Sequence, residues 1–538
     1  MTFAVTSPVG LASAARVPAN KWLITVSISF GTLMGAIDTS IVNVALPHIQ
    51  GAVGATVQEI TWVGTGYAVA LVLLMPLTAF LGRMFGQKRV YIICLALFIV
   101  GSALCGTATS LPQLIAYRAI QGLGAGALQP TEQAILRQTF PAKEQGMAMA
   151  VFAMVVMIGP AVGPTLGGYI VDQWHWSWIF FINVPIGALG FFMVLSFLRE
   201  DPQILAANRA QAERERKNVD WAGIALMSVS LSTFEYFLEE GARDDWFQSK
   251  LITACFFVAV VTLAAFVIRE LTAVAPVVNL RLFKDSVFTS GTLIGALMFA
   301  MLMANMFLLP IFMQELLGFT AMQSGVALMP RTLVMMVAVP IVGRVYNIVS
   351  PRVMIAFGIL AFGYGAYEMS HLTLASGQAD IIATIMIQGI GFACLFVPLT
   401  TVALSNVPRH QMADATGLNS VLRQFGGAVG LAGFATLLDR YATQARSAIG
   451  SHVTEVDPLV QQRVASTVHA LVAHGMAPDT AHRGAIASLS AAVRTQAQVV
   501  AFDRIFLLAG ILFLFVMPLL ILLKGQSAPG KNAEVHLE

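Results

Sequence analysis

Apolar runs long enough to cross a lipid bilayer follow one another along almost the whole of this chain. A membrane-spanning helix needs about 20 predominantly apolar residues. The sequence contains fourteen such runs, at 22–46, 57–80, 90–109, 112–136, 146–171, 176–198, 220–239, 250–269, 287–314, 322–346, 352–374, 379–405, 413–437 and 501–523. Of the 538 residues, 57% are hydrophobic and 11% are charged. We therefore predict an all-α polytopic membrane protein, because backbone polar groups in lipid must be bonded within helices.

Basic residues orient the predicted spans, because Lys and Arg concentrate on cytoplasmic connections. Alternate short connections carry most of them, including Lys21 and Lys88, with a further cluster at 209–217. The opposite connections carry few, chiefly Arg243 and Lys250. The pattern predicts a multi-pass membrane protein with both termini in the cytoplasm.

Two short motifs recur in the same order in two parts of the chain. Gln-Gly-x-Gly lies at 121–124 and again at 388–391, and Gly-Arg lies at 82–83 and again at 343–344. Internal repeats of this kind let transporters build a central site between two halves. The predicted parts are a cytoplasmic tail 1–20, a six-helix bundle 21–199, a cytoplasmic linker 200–219, an inserted helix pair 220–270, a second six-helix bundle 271–524 with an extracytoplasmic loop 441–499, and a cytoplasmic tail 525–538. The loop is interpreted either as helical surface structure or as a flexible segment.

The fifth run contains an unusual stretch with two prolines and four glycines in ten positions. Its members are Gly159, Pro160, Gly163, Pro164, Gly167 and Gly168. Proline removes a backbone hydrogen bond, and small residues let another helix come close. The stretch favours a bent helix pressed against other helices, and a packing kink without a role in transport is the alternative.

Two opposite charges lie inside predicted spans, where charged side chains are costly and mark candidate functional sites. Asp38 shares a helix face with Gly31 and lies about 25 Å along its helix from Lys21, at 1.5 Å per residue. Arg118 lies about 10 Å in from the outer end of its span, a depth compatible with contact or a water bridge to Asp38. The counterpart of Arg118 in the second repeat is Ile385. We interpret Asp38 and Arg118 as a proton-coupling pair, with a fixed structural ion pair as the alternative.

Other polar residues within the spans are weaker candidates. Glu235 and Glu132 are candidate second proton or cation sites. A helix contact or water-filled crevice is the alternative for Glu235, and a solvated helix end for Glu132. Arg331 and Glu368 are candidate partners in the second half. The candidate substrate-cavity residues are Asn43, Gln121, Gln129, Met301, Asn305, Gln314 and Arg331. Methionines crowd the run 287–314, where they suit either an adaptable binding surface or ordinary gap filling.

Six motifs recur together in one group of transporters. They lie at 38–47, at Arg118 with 121–124, and at 159–168, 178–187, 244–247 and 423–427. Over nearly the whole chain they make it similar to the fourteen-helix drug/proton antiporters of the EmrB/QacA type in the major facilitator superfamily. The resemblance implies two six-helix bundles plus two inserted helices, with the glycine–proline stretch where the halves meet. It further implies proton-coupled export of amphipathic or lipophilic compounds by alternating access, with coupling at Asp38 and Arg118. A periplasmic adaptor protein and an outer-membrane channel are the implied partners.

The loop after the second span departs from the family pattern, which usually carries an aspartate there. Arg83 occupies that position here, between Gly82 and the residues Gly86 and Arg89. We expect these four residues to form a gating loop in which the usual charge relay is altered or replaced.

Motifs for other classes of function are missing from the sequence. There is no His-Glu-x-x-His metal site, no Gly-x-Ser-x-Gly nucleophile turn and no phosphate-binding Gly-x-x-x-x-Gly-Lys loop. We therefore expect no enzyme activity, no metal and no cofactor, with a proton gradient as the energy source, and nothing in the net charge of +3 points to nucleic acid. The alternative function is a carrier of the same superfamily that moves a specific metabolite without proton antiport.

Overall fold

The computed structural model describes residues 20–200, 219–273, 276–454 and 456–523. Apart from their edges, the predicted tails and the linker with its basic cluster at 209–217 lie outside the described residues. The long helices are α1 Lys21–Val53, α2 Trp62–Phe85, α3 Gln87–Gly106, α4 Leu111–Thr139, α5 Gln145–Gln173, α6 Trp178–Phe197, α7 Trp221–Gly241, α8 Lys250–Thr272, α9 Ser286–Ile311, α10 Ala321–Val345, α11 Pro351–Met369, α12 Gln378–Val402, α13 Met412–His452, α14 Pro458–Ala473 and α15 Pro478–Leu514.

A helix occupies each of the fourteen positions at which the sequence predicts a span. Within the described ranges, eleven helices are long and apolar enough to cross a membrane, and α4, α5 and α11 are not among them. The predicted count of fourteen spans is therefore compatible with the structure. The last two predicted spans, 413–437 and 501–523, cover only part of their helices. Helix α13 continues beyond the predicted span to His452, and helix α15 begins before the predicted span, at Pro478. Hydropathy detects the lipid-facing part of a helix and not its polar extension.

Several helix ends carry the local signals that start or stop a helix. The side chains of Asn20, Asp220, Asp285 and Thr320 each accept a hydrogen bond from a backbone N–H in the first turn of α1, α7, α9 and α10. Such caps satisfy N–H groups that have no partner within the helix. At its other end α1 stops at Gly54, whose φ of 66° suits a residue without a side chain.

The two halves of the chain repeat the same pairwise packing of helices. In the first half α1 packs on α5, α2 on α4, and α3 on α4 and α6. In the second half α9 packs on α13, α10 on α12, and α11 on α12 and α15. The recurring Gln-Gly-x-Gly motifs lie at equivalent contacts. A Cβ on Gly124 would lie 2.5 Å from the backbone of Phe98 in α3, and one on Gly391 would lie 2.8 Å from the backbone of Phe362 in α11. The repeat in the sequence is therefore a repeat in the structure.

The halves meet through α5 against α10 and through α2 against α13. Several contacts join them at the end of the molecule that is predicted to face the cytoplasm. Arg83 of α2 forms an ion pair with Asp414 of α13, and the side chain of Asn347 donates a hydrogen bond to the carbonyl oxygen of Lys143. We call this end the basic end and the opposite one the outer end.

The inserted pair, α7 and α8, packs beside both halves. The Thr65 hydroxyl of α2 donates to Glu240 of α7 at 2.8 Å, and Trp246, in the turn after α7, donates to the Thr436 hydroxyl of α13 at 2.9 Å. In its most apolar window α8 is only 17% buried. The pair therefore touches the core through α7, and α8 presents an apolar surface suited to lipid.

The segment 441–499 is helical in the described residues, as one of its two interpretations predicts. It consists of the end of α13, the separate helix α14 and the beginning of α15. No side chain of α14 that the structure describes is buried, and α14 packs on α15. The segment therefore extends the bundle beyond the outer end.

Candidate functional site

The buried carboxylate of Asp38 is the centre of a polar cluster between α1, α4 and α6. One nitrogen of Arg118 (Nη1) lies 2.6 Å from Asp38 Oδ2. The side-chain amides of Gln121 and Asn183 donate to the other oxygen, Oδ1, at 2.8 and 3.0 Å. Asp38 and Gln121 are fully buried, and Arg118 is 2% exposed. Both carboxylate oxygens therefore have donors, and the predicted contact between the two charges is direct.

The guanidinium of Arg118 is itself fixed on several sides. Its Nε donates to the carbonyl oxygen of Val63 at 3.2 Å, and Nη1 also donates to Gln121 at 2.7 Å. The guanidinium carbon lies 4.0 Å from the ring centroid of Tyr67 and 5.8 Å from that of Phe180. Aromatic faces attract cations. This side chain connects α4 to α1 and α2, so a change in the charge of Asp38 would alter contacts among several helices.

The glycine face of α5 packs directly on the segment of α1 that carries Asp38. A Cβ on Gly159 would lie 2.3 Å from the carbonyl carbon of Ala36, and one on Gly163 would lie 2.5 Å from Ser40. Real Cβ atoms do not come so close, so both positions need glycine for this approach of the two backbones. The stretch therefore sets the position of Asp38 relative to α5.

This arrangement refines the prediction for the glycine–proline stretch. The helix does lie where the halves meet, but it contacts α10 at the basic end, where a Cβ on Gly146 would lie 2.9 Å from the carbonyl oxygen of Gly343. The glycine face belongs to the interior of the first half. A Cβ on Gly168 would have no neighbouring atom within 4 Å, and the side chains of Pro160 and Pro164 lie outside the described residues.

The position equivalent to Asp38 in the second half is apolar. A Cβ on Gly426 of α13 would lie 2.2 Å from the carbonyl oxygen of Ala296 in α9. This contact is equivalent to the contact between Gly159 of α5 and Ala36 of α1 in the first half. Two residues further along, Met298 of α9 therefore takes the place of Asp38, and it is 2% exposed.

Arg83 forms a buried ion pair across the two halves. Its Nη1 lies 2.7 and 2.8 Å from the two carboxylate oxygens of Asp414, and its Nη2 donates to the carbonyl oxygen of Val277 at 3.4 Å. The sequence predicts an altered relay here, and the structure shows a cation on α2 paired with an anion on α13. Both residues are 6% exposed, so the ion pair is buried.

The rest of the gating loop forms a tight turn between α2 and α3. Gly86 donates from its N–H to the carbonyl oxygen of Gly82 at 2.9 Å and has a φ of 91°, which favours glycine. The Glu200 carboxylate lies beside this turn and accepts from the backbone N–H of Lys88 at 3.0 Å. Arg89 is exposed.

The two other acidic candidates are both buried. Glu132 is fully buried and accepts a hydrogen bond from Ser29 at 2.8 Å, with the Thr32 hydroxyl beside it. The alternative of a solvated helix end is therefore wrong for Glu132. Glu235 is also fully buried and accepts from Gln424 of α13 at 3.4 Å. Their roles as second proton or cation sites stay predictions.

The candidate substrate-cavity residues do not converge on one surface. Met301 and Asn305 are buried in α9, and the Asn305 amide donates to the carbonyl oxygen of Met301 at 3.1 Å. Asn43 and Gln314 are exposed, and Gln129 is half-buried. Gln121 belongs to the Asp38 cluster. The methionines of α9 that are buried lie in the hydrophobic core, which fits their interpretation as gap fillers.

The pairing expected between Arg331 and Glu368 is wrong in the described part of the chain. Arg331 is 4% exposed, and two of its nitrogens have no hydrogen-bond partner. Glu368 instead lines a separate cavity of about 360 Å³ with Tyr364 and His371, between α11 and α12. Arg331 lies about 15 Å in from the outer end of α10, at 1.5 Å per residue, whereas Glu368 lies in the last turn of α11, so the two side chains are at different depths.

Asn183 is the residue of the Asp38 cluster that the sequence candidates omit. It donates to Asp38 and also to the Ser102 hydroxyl of α3 at 3.1 Å, so it connects three helices. A polar side chain inside an apolar span is the signal that could have identified it. Among the described residues, no group of three or more His, Cys, Asp or Glu side chains is arranged to hold a metal ion.

Comparisons with known proteins agree with this architecture. The model of the Major Facilitator Superfamily matches residues 28–431. The chain is 32% identical to the fatty acid resistance protein FarB of Neisseria gonorrhoeae, over 94% of this chain and 97% of that protein. It is 35% identical to the multidrug export protein EmrB of Escherichia coli, over 76% of this chain and 78% of that protein.

A solved structure shows the same fold at low sequence identity. The proton:xylose symporter XylE superposes with a TM-score of 0.58 at 12% identity, over 92% of this chain and 95% of that one. The repeated helix packing, the eleven described helices that could span a membrane and the match over most of the length lead to one conclusion. The chain is a multi-span membrane protein that belongs to the major facilitator superfamily of transporters.

Proposed function

We propose that this protein exports amphipathic compounds of diverse structure by proton antiport and alternating access. The observation that carries the proposal is the buried Asp38 carboxylate, bonded to Arg118 and to two amides. The names of the two relatives support the substrate class, since one is a fatty acid resistance protein and the other a multidrug export protein. The protein acts as a transporter, with the proton gradient as its energy source and no cofactor.

The arrangement around Asp38 suggests how a proton would act on the structure. When Asp38 is ionised, its charge-assisted bond to Arg118 holds α1 and α4 together. A proton on Asp38 removes that charge and weakens the bond, so Arg118 and its helix can take another position. Because α5 packs on α1 through its glycine face and on α10 at the basic end, the change reaches the contact between the halves. Glu132 and Glu235 are the candidates for a second proton.

Proton coupling supplies enough free energy for this task. One charge that moves through 100 mV is worth about 2.3 kcal/mol. A tenfold gradient of a neutral compound needs about 1.4 kcal/mol. One proton for each molecule is therefore sufficient for export against a modest gradient.

The test is efflux of a fluorescent amphipathic dye from proteoliposomes with an imposed pH gradient. We expect gradient-driven efflux by the unmodified protein, its loss in Asp38→Asn, and its retention in Asp172→Asn, which changes an exposed aspartate of α5. Full gradient-driven efflux by Asp38→Asn would remove Asp38 from the coupling mechanism. Equal transport with and without the gradient in all three proteins would instead support a metabolite carrier without proton antiport.

We also propose that the protein lies in the inner membrane with both termini in the cytoplasm, as the basic residues of its connections indicate. Its outer segment, from the end of α13 through α14 to the start of α15, would then contact a periplasmic adaptor protein that leads to an outer-membrane channel. The exposed apolar side chains Val456 and Leu459, 85% and 74% exposed, support a contact there.

A shortened protein distinguishes an adaptor contact from a lid over the transport path. In this variant a short flexible linker replaces residues 453–477. If the segment contacts an adaptor, transport in proteoliposomes is unchanged and drug resistance of cells is lost. If transport in proteoliposomes falls as much as drug resistance of cells, the segment serves the transport path itself and the adaptor contact is wrong.

A further inference from the structure

Two arginines are buried in the second half without an anionic partner. Arg423 of α13 is 3% exposed, and none of its three side-chain nitrogens has a hydrogen-bond partner. Arg331 of α10 is 4% exposed, and its Nε and Nη2 have none. In the part of the chain that the structure describes, neither forms an ion pair. A buried charge without a counter-ion is strongly unfavourable, so the two sites need an explanation.

The internal repeat shows that no carboxylate stands at the position equivalent to Asp38. The first half has a further buried arginine, Arg137, which forms no ion pair among the described residues, but its Nη1 donates to Gln145. Arg118 of the first half is neutralised by Asp38. The equivalent position of Asp38 is Met298, and that of Arg118 is Ile385. The second half therefore has cations and lacks the built-in carboxylate that balances Arg118 in the first half.

Nearby acidic groups do not supply the missing charge. Glu235, which α7 places against α13, accepts from Gln424, the residue next to Arg423 in sequence. Glu368 lies in the cavity between α11 and α12. Both acids contact other groups, whereas all three side-chain nitrogens of Arg423, and Nε and Nη2 of Arg331, have no hydrogen-bond partner.

The surroundings of Arg423 are apolar and aromatic. Its guanidinium carbon lies 5.1 Å from the ring centroid of Phe299 and 5.7 Å from that of Phe396. Phe396 in turn stacks on Phe152 of α5 with ring centroids 6.2 Å apart, so this ring contact bridges the two halves. Separation of the halves would uncover Arg423 next to a surface that suits an acyl chain or ring system.

Arg331 lies on the same wall of the second half. Its backbone and Cγ pack against Gly389 of α12, seven residues before Phe396. At 1.5 Å per residue, the two arginines are therefore about 10 Å apart along the bundle axis. Their helices, α10 and α13, both contact the first half, as does α12. Both cations thus lie where substrate passes in an alternating-access transporter.

We propose that Arg331 and Arg423 form a subsite that binds the anionic group of an amphipathic substrate, such as a carboxylate, while the adjoining aromatic rings hold its apolar part. The proposal rests on the proposed export function and adds the charge of the preferred substrate. Arginine suits the role because it stays charged and presents several donors in a planar fork. The bound anion replaces the carboxylate that Asp38 provides in the first half.

The test compares a carboxylate with its uncharged analogue. Equilibrium binding of dansylaminoundecanoate and of its primary amide is measured by fluorescence with the purified protein in detergent, without any gradient. We expect the unmodified protein to bind the carboxylate more tightly than the amide. Arg423→Gln and Arg331→Gln should each weaken carboxylate binding about tenfold or more, the value of one charge-assisted contact, and leave amide binding unchanged.

Two controls separate binding from folding. Arg344→Gln changes an exposed arginine of α10 and should change neither affinity. Arg423→Lys keeps a positive charge and should restore part of the preference for the carboxylate. Equal weakening of both ligands, or no change in either variant, would overturn the subsite.

Transport of the same two probes separates this proposal from the export function. If the unmodified protein binds the carboxylate with the arginine dependence above but moves neither probe out of proteoliposomes, the subsite stands and the export function fails. If it exports both probes and shows no preference for the carboxylate, the export function stands and the subsite fails.

Discussion

In the first half Asp38 and Arg118 form an ion pair within a hydrogen-bonded cluster, whereas the equivalent positions of the second half carry Met298 and Ile385. The backbone contacts are the same in both halves, since the same helix pairs approach at equivalent glycines. The common fold therefore does not require the buried charges.

The two halves differ in the buried charges that they carry. A carboxylate bonded to an arginine and to two amides belongs to the first half. Two cations with free donors, Arg331 and Arg423, belong to the second half. The glycine contacts of α5 and the Arg83–Asp414 ion pair connect the two, so a change in one half can alter the other.

The largest predicted effect concerns the buried cations themselves. Arg118→Gln leaves Asp38 without its charged partner, and breaking a buried pair costs about 3–5 kcal/mol. Arg423→Gln removes an unpaired charge and should leave the ligand-free protein within about 1 kcal/mol of the unmodified one, or more stable. Thermal unfolding of both variants in the same detergent measures the difference. Equal destabilisation by the two would contradict the contrast between the halves.

The ion pair that joins the halves at the basic end gives the next effect. Arg83→Ala or Asp414→Ala leaves a buried charge unpaired, so each should open this end and reduce transport about tenfold or more, for a loss of about 3 kcal/mol in the closed state. The exchanged double variant Arg83→Asp with Asp414→Arg should recover much of the activity. Labelling of a cysteine placed at Gln138, near this end, reports the opening. A double variant as inactive as the single ones would show that the pair acts through more than its charges.

The glycine face of α5 offers a sterically matched comparison within one helix. Gly159→Ala places a Cβ about 2.3 Å from the backbone of Ala36, so α1 must shift with Asp38. Overpacking of this kind costs about 1–3 kcal/mol. Gly168→Ala, with open space around its Cβ position, should be close to neutral. Efflux driven by a pH gradient should fall in the first variant only, and an equal loss in both would mean that α5 needs flexibility and not closeness.

The smallest effect is expected where the inserted pair meets the second half. Trp246→Phe removes one hydrogen bond to Thr436, which is worth about 1 kcal/mol. Trp221→Phe changes a tryptophan that is 73% exposed and serves as the control. The unfolding temperature of Trp246→Phe should be slightly lower than that of Trp221→Phe, and both variants should retain transport. A strong loss of transport in Trp246→Phe alone would give the inserted pair a direct part in the cycle.

The sequence predicts some parts of the candidate site well. Asp38 and Arg118 stand out because charges are rare in apolar runs, and their depths follow from the rise of a helix. Asn183 escapes the same reasoning because its partners, Asp38 and Ser102, are 145 and 81 residues away in the chain. The expected Arg331–Glu368 pair fails because Arg331 lies ten residues inside α10, whereas Glu368 lies in the last turn of α11.

The sequence by itself determines the class of protein, the positions of the long helices and the internal repeat. It also shows that Arg118 of the first repeat has an uncharged counterpart, Ile385, in the second. These features are local, because hydropathy and helical periodicity act over about 20 residues. Only the tertiary structure decides that Arg83 meets Asp414, 331 residues further along, and that Arg331 and Arg423 form no ion pair with any residue that the structure describes. The physical reason is that a buried charge is paired or unpaired according to the rotation and packing of separate helices, which no single segment specifies.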